Sequence, residues 1–233
     1  MKTDQKAIVC TVALGSKYTD MASPLLNSLA REGNRCLVLT DSPQAFSSGV
    51  EILAPPDKTH PWHQKRHVLR LGLEKTKTVY WLEADSRPLS AKLPIARLLP
   101  PGIHTGQTQN LHGQRSAWRA SDRLPVYLQA CELLNINEDK DRAKIKFVDD
   151  TAYAISRDSD GLWKKMFQLW DVYATWLLKT SQLTNDGVAL GLCSHVTGFP
   201  IHVASSDTNL TLDCQHLASG NWRRELDCTT ELP

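Results

Sequence analysis

No stretch of this chain is apolar for long enough to cross a bilayer. The run near its start, Ala7 to Leu14, falls far short of the roughly 20 residues a spanning helix needs. The charged opening Met1-Lys2-Thr3-Asp4-Gln5-Lys6 and the lack of a small-residue cleavage pattern argue against an export signal. There is no Walker A sequence and no G-x-G-x-x-G, so P-loop and dinucleotide readings have no support. The six cysteines are scattered without a C-x-x-C pair, which removes a zinc-ribbon frame. Cys10 and Cys36 fall in predicted buried strands, where a thiol serves as a small hydrophobe, and a reducing cytoplasm is expected. Pairing of Cys214 with Cys228 stays open. A strong charge is missing too. Lys and Arg number 27 against 25 Asp and Glu, for a formal net charge of +2, and no basic cluster carries interleaved aromatics. Nucleic acid is therefore not an expected partner. Repeats, low-complexity tracts and linkers are absent, so residues 1–233 are expected to form one domain.

What is present is a βαβ rhythm. Lys6 to Leu14 reads as a buried strand stopped at Gly15-Ser16. Thr19 to Glu32 reads as a helix with Pro24 in its first turns and Gly33-Asn34 as its stop. Arg35 to Thr40 is a second strand ending at Asp41-Ser42-Pro43, an order that implies parallel strands joined by a crossover helix. A helix is expected from Pro61 to about Glu74, and a strand over Thr78 to Leu82. Pro100 to His104 leads into a further strand, and Gly106 to Asp122 reads as a polar loop. Leu124 to Leu134 is helical, and Lys144 to Ser156 holds one or two strands. Ser159 to Lys179 is the clearest helix, since Leu162, Met166, Leu169, Trp170, Tyr173 and Leu177 recur at helical spacing. A shorter helix follows Asn185-Asp186, Phe199 to Ala204 is a last strand, and the remainder reads as a polar tail.

The chemistry concentrates where the third strand ends, in Tyr80-Trp81-Leu82-Glu83-Ala84-Asp85-Ser86-Arg87-Pro88. In open α/β sheets ligands bind outside the carboxyl ends of strands. Glu83 and Asp85 there suit a hard divalent cation, Mg²⁺ or Mn²⁺, which keeps positions for phosphate oxygens. The plain alternative is a strand-end turn with solvated acids. His63 and His67 stand four apart on a helix, a spacing that can chelate zinc. The catalytic version carries Glu after the first His, and here Gln64 stands there. Trp163, Trp170 and Trp176 read as helix packing. His112 and Trp118 are acceptor-site candidates in the polar loop.

The acidic segment resembles the D-x-D strand of GT-A glycosyltransferases, with Glu83 in place of the usual first Asp. The resemblance runs along most of the chain. Cys10 to Asp41 looks like that family's first βαβ unit, which implies that Thr11, Val12, Ala13, Tyr18 and Asp41 hold the nucleotide. The helix with Gln64-Lys65-Arg66 matches the one that sends a basic residue toward the donor, which implies donor contacts from Lys65 or Arg66. Leu183 to Leu190 is similar to the family's late acidic helix start, and implies Asp186 at the reacting centre; as a helix start it also suits a cap. His216 to Arg224 resembles the H-x-x-G-x-x-K-P-W element of family 8-like retaining enzymes, though Lys-Pro-Trp is absent. It implies His216 in the metal shell and Arg223 or Arg224 on the diphosphate.

The fold so implied is α/β, a GT-A (Rossmann-like) three-layer α/β/α sandwich around a mostly parallel mixed sheet. The implied activity is transfer of a sugar from a nucleotide-sugar, a UDP-sugar in the first instance, to an acceptor hydroxyl with Mn²⁺ or Mg²⁺. The family 8-like tail points toward retention, and an inverting enzyme would use Asp186 as base. Two other readings stand beside it. One is a non-catalytic nucleotide- or carbohydrate-binding relative. The other is a sugar nucleotidyltransferase, which would carry a G-x-G-x-R loop where this chain has Leu14-Gly15-Ser16-Lys17-Tyr18.

Overall fold

The computed structural model describes residues 7–56, 61–88, 99–105, 108–110, 123–148, 152–180, 186–203 and 214–216. Arg223, His60, His112, Trp118 and Cys228 lie outside the described residues, and for His216 and Cys214 the backbone alone is described.

Eleven strands and six helices are described. The strands are β1 (Ile8–Ala13), β2 (Arg35–Thr40), β3 (Val50–Leu53), β4 (Thr78–Leu82), β5 (Ser86–Pro88), β6 (Gly102–Thr105), β7 (Thr108–Asn110), β8 (Lys146–Val148), β9 (Ala152–Ser156), β10 (Ile201–Val203) and β11 (Cys214–His216). The helices are α1 (Ser16–Arg31), α2 (Pro61–Lys75), α3 (Arg123–Leu133), α4 (Glu138–Asp141), α5 (Leu162–Thr180) and α6 (Asp186–Thr197). Seven strands form the central sheet in the order β10-β6-β9-β4-β1-β2-β3. All of its pairings are parallel except the two that β9 makes, with β4 and with β6. This is the mostly parallel mixed sheet the sequence implies.

Strand side chains alternate between the two faces, and both faces are covered. Val9, Ala13, Val38, Tyr80, Leu82 and Ala154 pack with Ala22, Leu26 and Leu29 of α1. On the other face, Cys10, Leu37, Val79, Trp81, Tyr153 and Ile155 pack with apolar residues of α2, α3, α5 and α6. The result is three layers. α2 lies unusually close to the sheet: a Cβ at Gly72 would sit 2.7 Å from Val79 Cγ1 and 2.9 Å from Cys10 Sγ. Glycine at this position lets the helix backbone come down onto β1 and β4.

Several expected boundaries move. α1 begins at Ser16, three residues before the expected start, because Gly15 at φ 78° turns the chain directly from β1 into the helix. Pro24 therefore stands inside the helix and not in its first turns. Two assignments are corrected outright. Within the expected loop 106–122, Thr108–Asn110 forms β7 and pairs with β8. Within the expected polar tail, Cys214–His216 forms β11 and pairs antiparallel with β5, with His216 opposite Ser86. Both are three-residue strands held by backbone ladders, and neither needs an alternating apolar pattern. Among the described residues no helix is long and apolar enough to cross a membrane.

Candidate functional site

The strand order dictates where a cleft can form. From β1 the chain winds outward through β2 to β3, then returns to β4 on the other side of β1. Between β1 and β4 the direction of winding reverses, and connections leave the carboxyl ends of these two strands in opposite senses. That is the topological switch point, the usual ligand crevice of such sheets. The β1–β4 ladder ends at Cys10 and Trp81, while β1 continues beside β2 as far as Ala13. Past the ladder, the Thr11 hydroxyl donates to the Leu82 carbonyl at 2.8 Å and ties the two strand ends. Thr11, Val12 and Ala13, expected to contact the nucleotide, are buried and expose little side-chain surface.

The turn after β1 is exposed. Gly15 donates its N–H to both carboxylate oxygens of Asp41, at 3.1 Å each, so the end of β2 fixes the entry to α1. Tyr18, in the first turn of α1, is 39% exposed with Lys17 Nζ 5.5 Å from its ring centroid. The pieces expected to hold a nucleotide thus lie together at the carboxyl end of β1 and β2: an aromatic ring, a carboxylate and the amino end of a 16-residue helix.

Across the crevice, Val79, Trp81 and Glu83 alternate onto the side of the sheet covered by α2. The central feature of the site is an ion cluster there. The Lys65 ammonium of α2 contacts Glu83 Oε1 and lies 2.7 Å from Asp186 Oδ2 at the start of α6. It also lies 4.8 Å from the centroid of the Trp81 ring, which in turn stacks on Tyr153 of β9 at 6.3 Å. The Lys65 side chain is 4% exposed, Asp186 8% and Glu83 23%. One cation therefore joins α2, β4 and α6 at the carboxyl edge, over an aromatic face that favours it. Asp186 also stands in the first turn of α6, where the helix dipole suits a carboxylate.

The neighbouring residue goes elsewhere. Arg66 Nε donates to Asp171 Oδ1 of α5 at 2.7 Å, and its Nη1 contacts the His63 carbonyl. Arg70 donates to Asp171 Oδ2, also at 2.7 Å. Arg66 thus braces α2 against α5. Of the expected site residues, the structure brings together Glu83, Lys65 and Asp186, with Asp85 two residues beyond Glu83 and half-buried. The β11–β5 pairing sets the His216 backbone opposite Ser86, next to Asp85. The sequence reading missed the link from Lys65 to the two acids and the part of Trp81 beneath it. A usable signal existed: Trp81 lies two residues before Glu83 on a strand, and therefore on the same face.

Glu83 and Asp85 offer carboxylate oxygens at the strand end, and part of each side chain reaches solvent. Among the described residues no group of three or more His, Cys, Asp and Glu stands close enough to hold an ion. The thiols are elsewhere. Burial pushes Cys36 up to about 12 and Cys131 up to about 11, and raises Cys10 and Cys193 further. Such thiols behave as apolar packing groups.

No protein-family model matches the chain, and no curated protein matches it. Among solved structures it is similar to the apo structure of WbbM, a bifunctional glycosyltransferase. The TM-score is 0.52 and the identity 12%, with 88% of this chain and 39% of the WbbM chain covered. The chain therefore spans about two-fifths of that protein's length. At this identity the likeness speaks for the fold, and the sheet order, the three layers and the crevice between β1 and β4 agree with it: this chain has an α/β fold of the GT-A type.

Proposed function

We propose that this chain moves a sugar from a nucleotide-sugar donor, a UDP-sugar, to an acceptor hydroxyl, assisted by a divalent cation. The observation that carries the reading is the meeting of Glu83, Lys65 and Asp186 at the switch point of the sheet, with Asp85 beside them. WbbM, similar in fold, is described as a bifunctional glycosyltransferase, which favours the same class of reaction.

In this reading the turn from Gly15 to Tyr18, the ends of β1 at Thr11, Val12 and Ala13, and Asp41 cradle the base and ribose. The helix end and the Tyr18 ring suit a planar base with a charged tail. Glu83 and Asp85 hold Mn²⁺ or Mg²⁺, with His216 as a third ligand and Arg223 toward the diphosphate. When bound, the cation supplies charge neutralisation for the departing nucleoside diphosphate. Asp186 stands at the start of α6, paired with Lys65. In an inverting enzyme its carboxylate takes the acceptor proton, and in a retaining one it stabilises positive charge at the sugar carbon. Lys65 holds that carboxylate in place, since an ion pair buried on both sides leaves it little room to turn.

One observation favours a second reading, a nucleotide-binding relative that transfers nothing. The same ammonium that fixes Asp186 also engages it, and an engaged carboxylate is a poorer base. Turnover of the donor separates the two.

Calorimetric titration of UDP and then GDP, with and without Mn²⁺, tests the proposal on the wild type and on Asp85→Ala. Metal-dependent binding of one nucleotide, abolished in Asp85→Ala, is expected. A protein that binds neither nucleotide under any condition contradicts the donor-site reading.

A further inference from the structure

His104 and His202 stack across the last two strands at one end of the sheet. They are register partners in the parallel pairing of β6 with β10, so both rings stand on the same face. Their centroids are 4.7 Å apart and their planes differ by 21°. Each ring meets a proline carbonyl: His104 Nε2 that of Pro100 at 2.8 Å, and His202 Nε2 that of Pro101 at 3.0 Å. A carbonyl only accepts, so Nε2 holds the proton in each neutral ring, and Nδ1 is the atom that takes up a second one. Gly102, with φ 138°, makes the room: a Cβ there would lie 2.6 Å from His202 Cδ2.

No acid offsets the charge that such protons bring. Among the described residues, the partners of the two rings are the two proline carbonyls and each other. Ala154 of β9 stands opposite His104, and Ser156, on the same face, gives its hydroxyl to the Leu99 carbonyl. The adjoining Leu99-Pro100-Pro101 has no ionisable side chain. Among the described residues, the charge that acts on His104 is that of His202. β10 is also an edge strand of three residues, paired on one side, with Val203 47% exposed. Such a strand opens at lower cost than the central ones.

We infer that the His104–His202 stack is a pH-sensitive clasp on this edge: neutral rings hold β10 against β6, and two protonated rings drive it off. Like charges stacked at this distance disfavour each other, and the buried His104 resists a charge of its own. Burial holds the His104 imidazole below the ordinary histidine value, the Pro100 hydrogen bond offsets part of this, and the charge of His202 adds to it. The unfolded chain thus takes up a proton near pH 6.5 that the folded chain refuses, so the clasp is fully effective above that pH and weakens as pH falls below it. From β10 the chain runs through residues 204–213 to β11, which pairs with β5 beside Asp85, so acid acts on the strand that precedes this part of the candidate site. The inference stands whether or not the chain transfers a sugar.

Amide hydrogen exchange of the whole chain at about pH 7.5 and about pH 5.5, corrected for the intrinsic pH dependence of exchange, reads the clasp. The amides to follow are those of β10 and of Ile103, which donates to the Pro200 carbonyl. In the wild type they are expected to lose about tenfold in protection at the lower pH, while those of β1 and β2 change little. His202→Phe keeps an aromatic ring against His104 but takes no proton, and His104→Gln keeps an amide donor for the Pro100 carbonyl. In either variant the loss is expected to stay below about threefold. A wild type with unchanged protection overturns the inference, and so does an equal loss in a variant that folds. Proton NMR titration of the two rings in the wild type decides the matter if neither variant folds. Two steps at least about tenfold apart in proton affinity support the clasp, and any smaller separation overturns it.

Discussion

Helix α2 carries two ion clusters that begin on adjacent residues and end in different parts of the molecule. Lys65 turns to the carboxyl edge of the sheet, where its side chain and Asp186 are nearly sealed from water. Arg66, joined by Arg70, turns to Asp171 of α5, which is 35% exposed. The charges and contact lengths are similar, and the surroundings are not. Water reaches the Asp171 and Arg70 ends of that cluster, while Arg66 is 10% exposed, so the cluster is partly screened. Around Lys65 there is less relief: removing the cation strips a partner from the buried Asp186 carboxylate, beside Glu83 whose side chain is 23% exposed. The Asp171 cluster fastens helix to helix. The Lys65 cluster holds polar groups in a costly arrangement at the carboxyl edge of the sheet, the usual ligand side of such folds.

That contrast can be broken at its stronger end first. Lys65→Ala is expected to cost about 3–5 kcal/mol by urea unfolding, the effect of stripping one partner from a buried ion pair. A loss under about 1 kcal/mol would mean that the Lys65–Asp186 pair is as well hydrated as a surface pair. Gly72→Ala presses on the close approach of α2 to β1 and β4. A methyl group at 2.7 Å from Val79 Cγ1 must displace the helix, and about 1–3 kcal/mol should be lost. Because Lys65 rides on the same helix, Mn²⁺-dependent nucleotide binding should weaken in that variant too, and calorimetry checks it.

Asp171→Ala sharpens the comparison from the other side. It should cost about 1–2 kcal/mol, less than Lys65→Ala, and less again in 1 M salt, since Asp171 and Arg70 reach solvent while Arg66 is buried. Chemical denaturation at two ionic strengths measures this, and a salt-insensitive loss as large as that of Lys65→Ala would erase the distinction drawn here. The smallest expected effect concerns pH. The buried thiols Cys10, Cys36 and Cys193 have values raised above the ordinary 9.0. Above about pH 9 the unfolded chain therefore gives up thiol protons that the folded chain keeps, and stability falls as pH rises. Below that pH the contribution is fully present. Native protein at pH 8 should accordingly react slowly with a thiol reagent at these positions, and quickly once denatured.

The layout of the fold was legible where side-chain pattern and backbone structure coincide. The β1–α1–β2 rhythm, the helix through Leu162 to Thr180 and the acidic end of β4 all announce themselves by apolar spacing and punctuation. The reversed direction of β9 was not legible, because a fully buried strand reads the same whichever way it runs. β11 was not legible either: three residues in a polar stretch are held by the backbone of β5, and backbone pairing leaves little mark on side-chain choice. In the site, the acids could be nominated from position alone. What Lys65 does could not. Residues 65 and 66 point about 100° apart on a helix, and only the packing of α5 and α6 decides which cation meets which acid.

The central claim, that this edge of the sheet turns over a nucleotide-sugar, is tested most directly by release of UDP from UDP-sugars in Mn²⁺, comparing wild type with Asp186→Asn. The account predicts measurable release by the wild type, lowered at least about 100-fold in Asp186→Asn with UDP affinity little changed. Equal release from both proteins would contradict the placing of Asp186 at the reacting centre. No release from any UDP-sugar, in a protein that still binds UDP, would leave a nucleotide-binding fold in place of an enzyme.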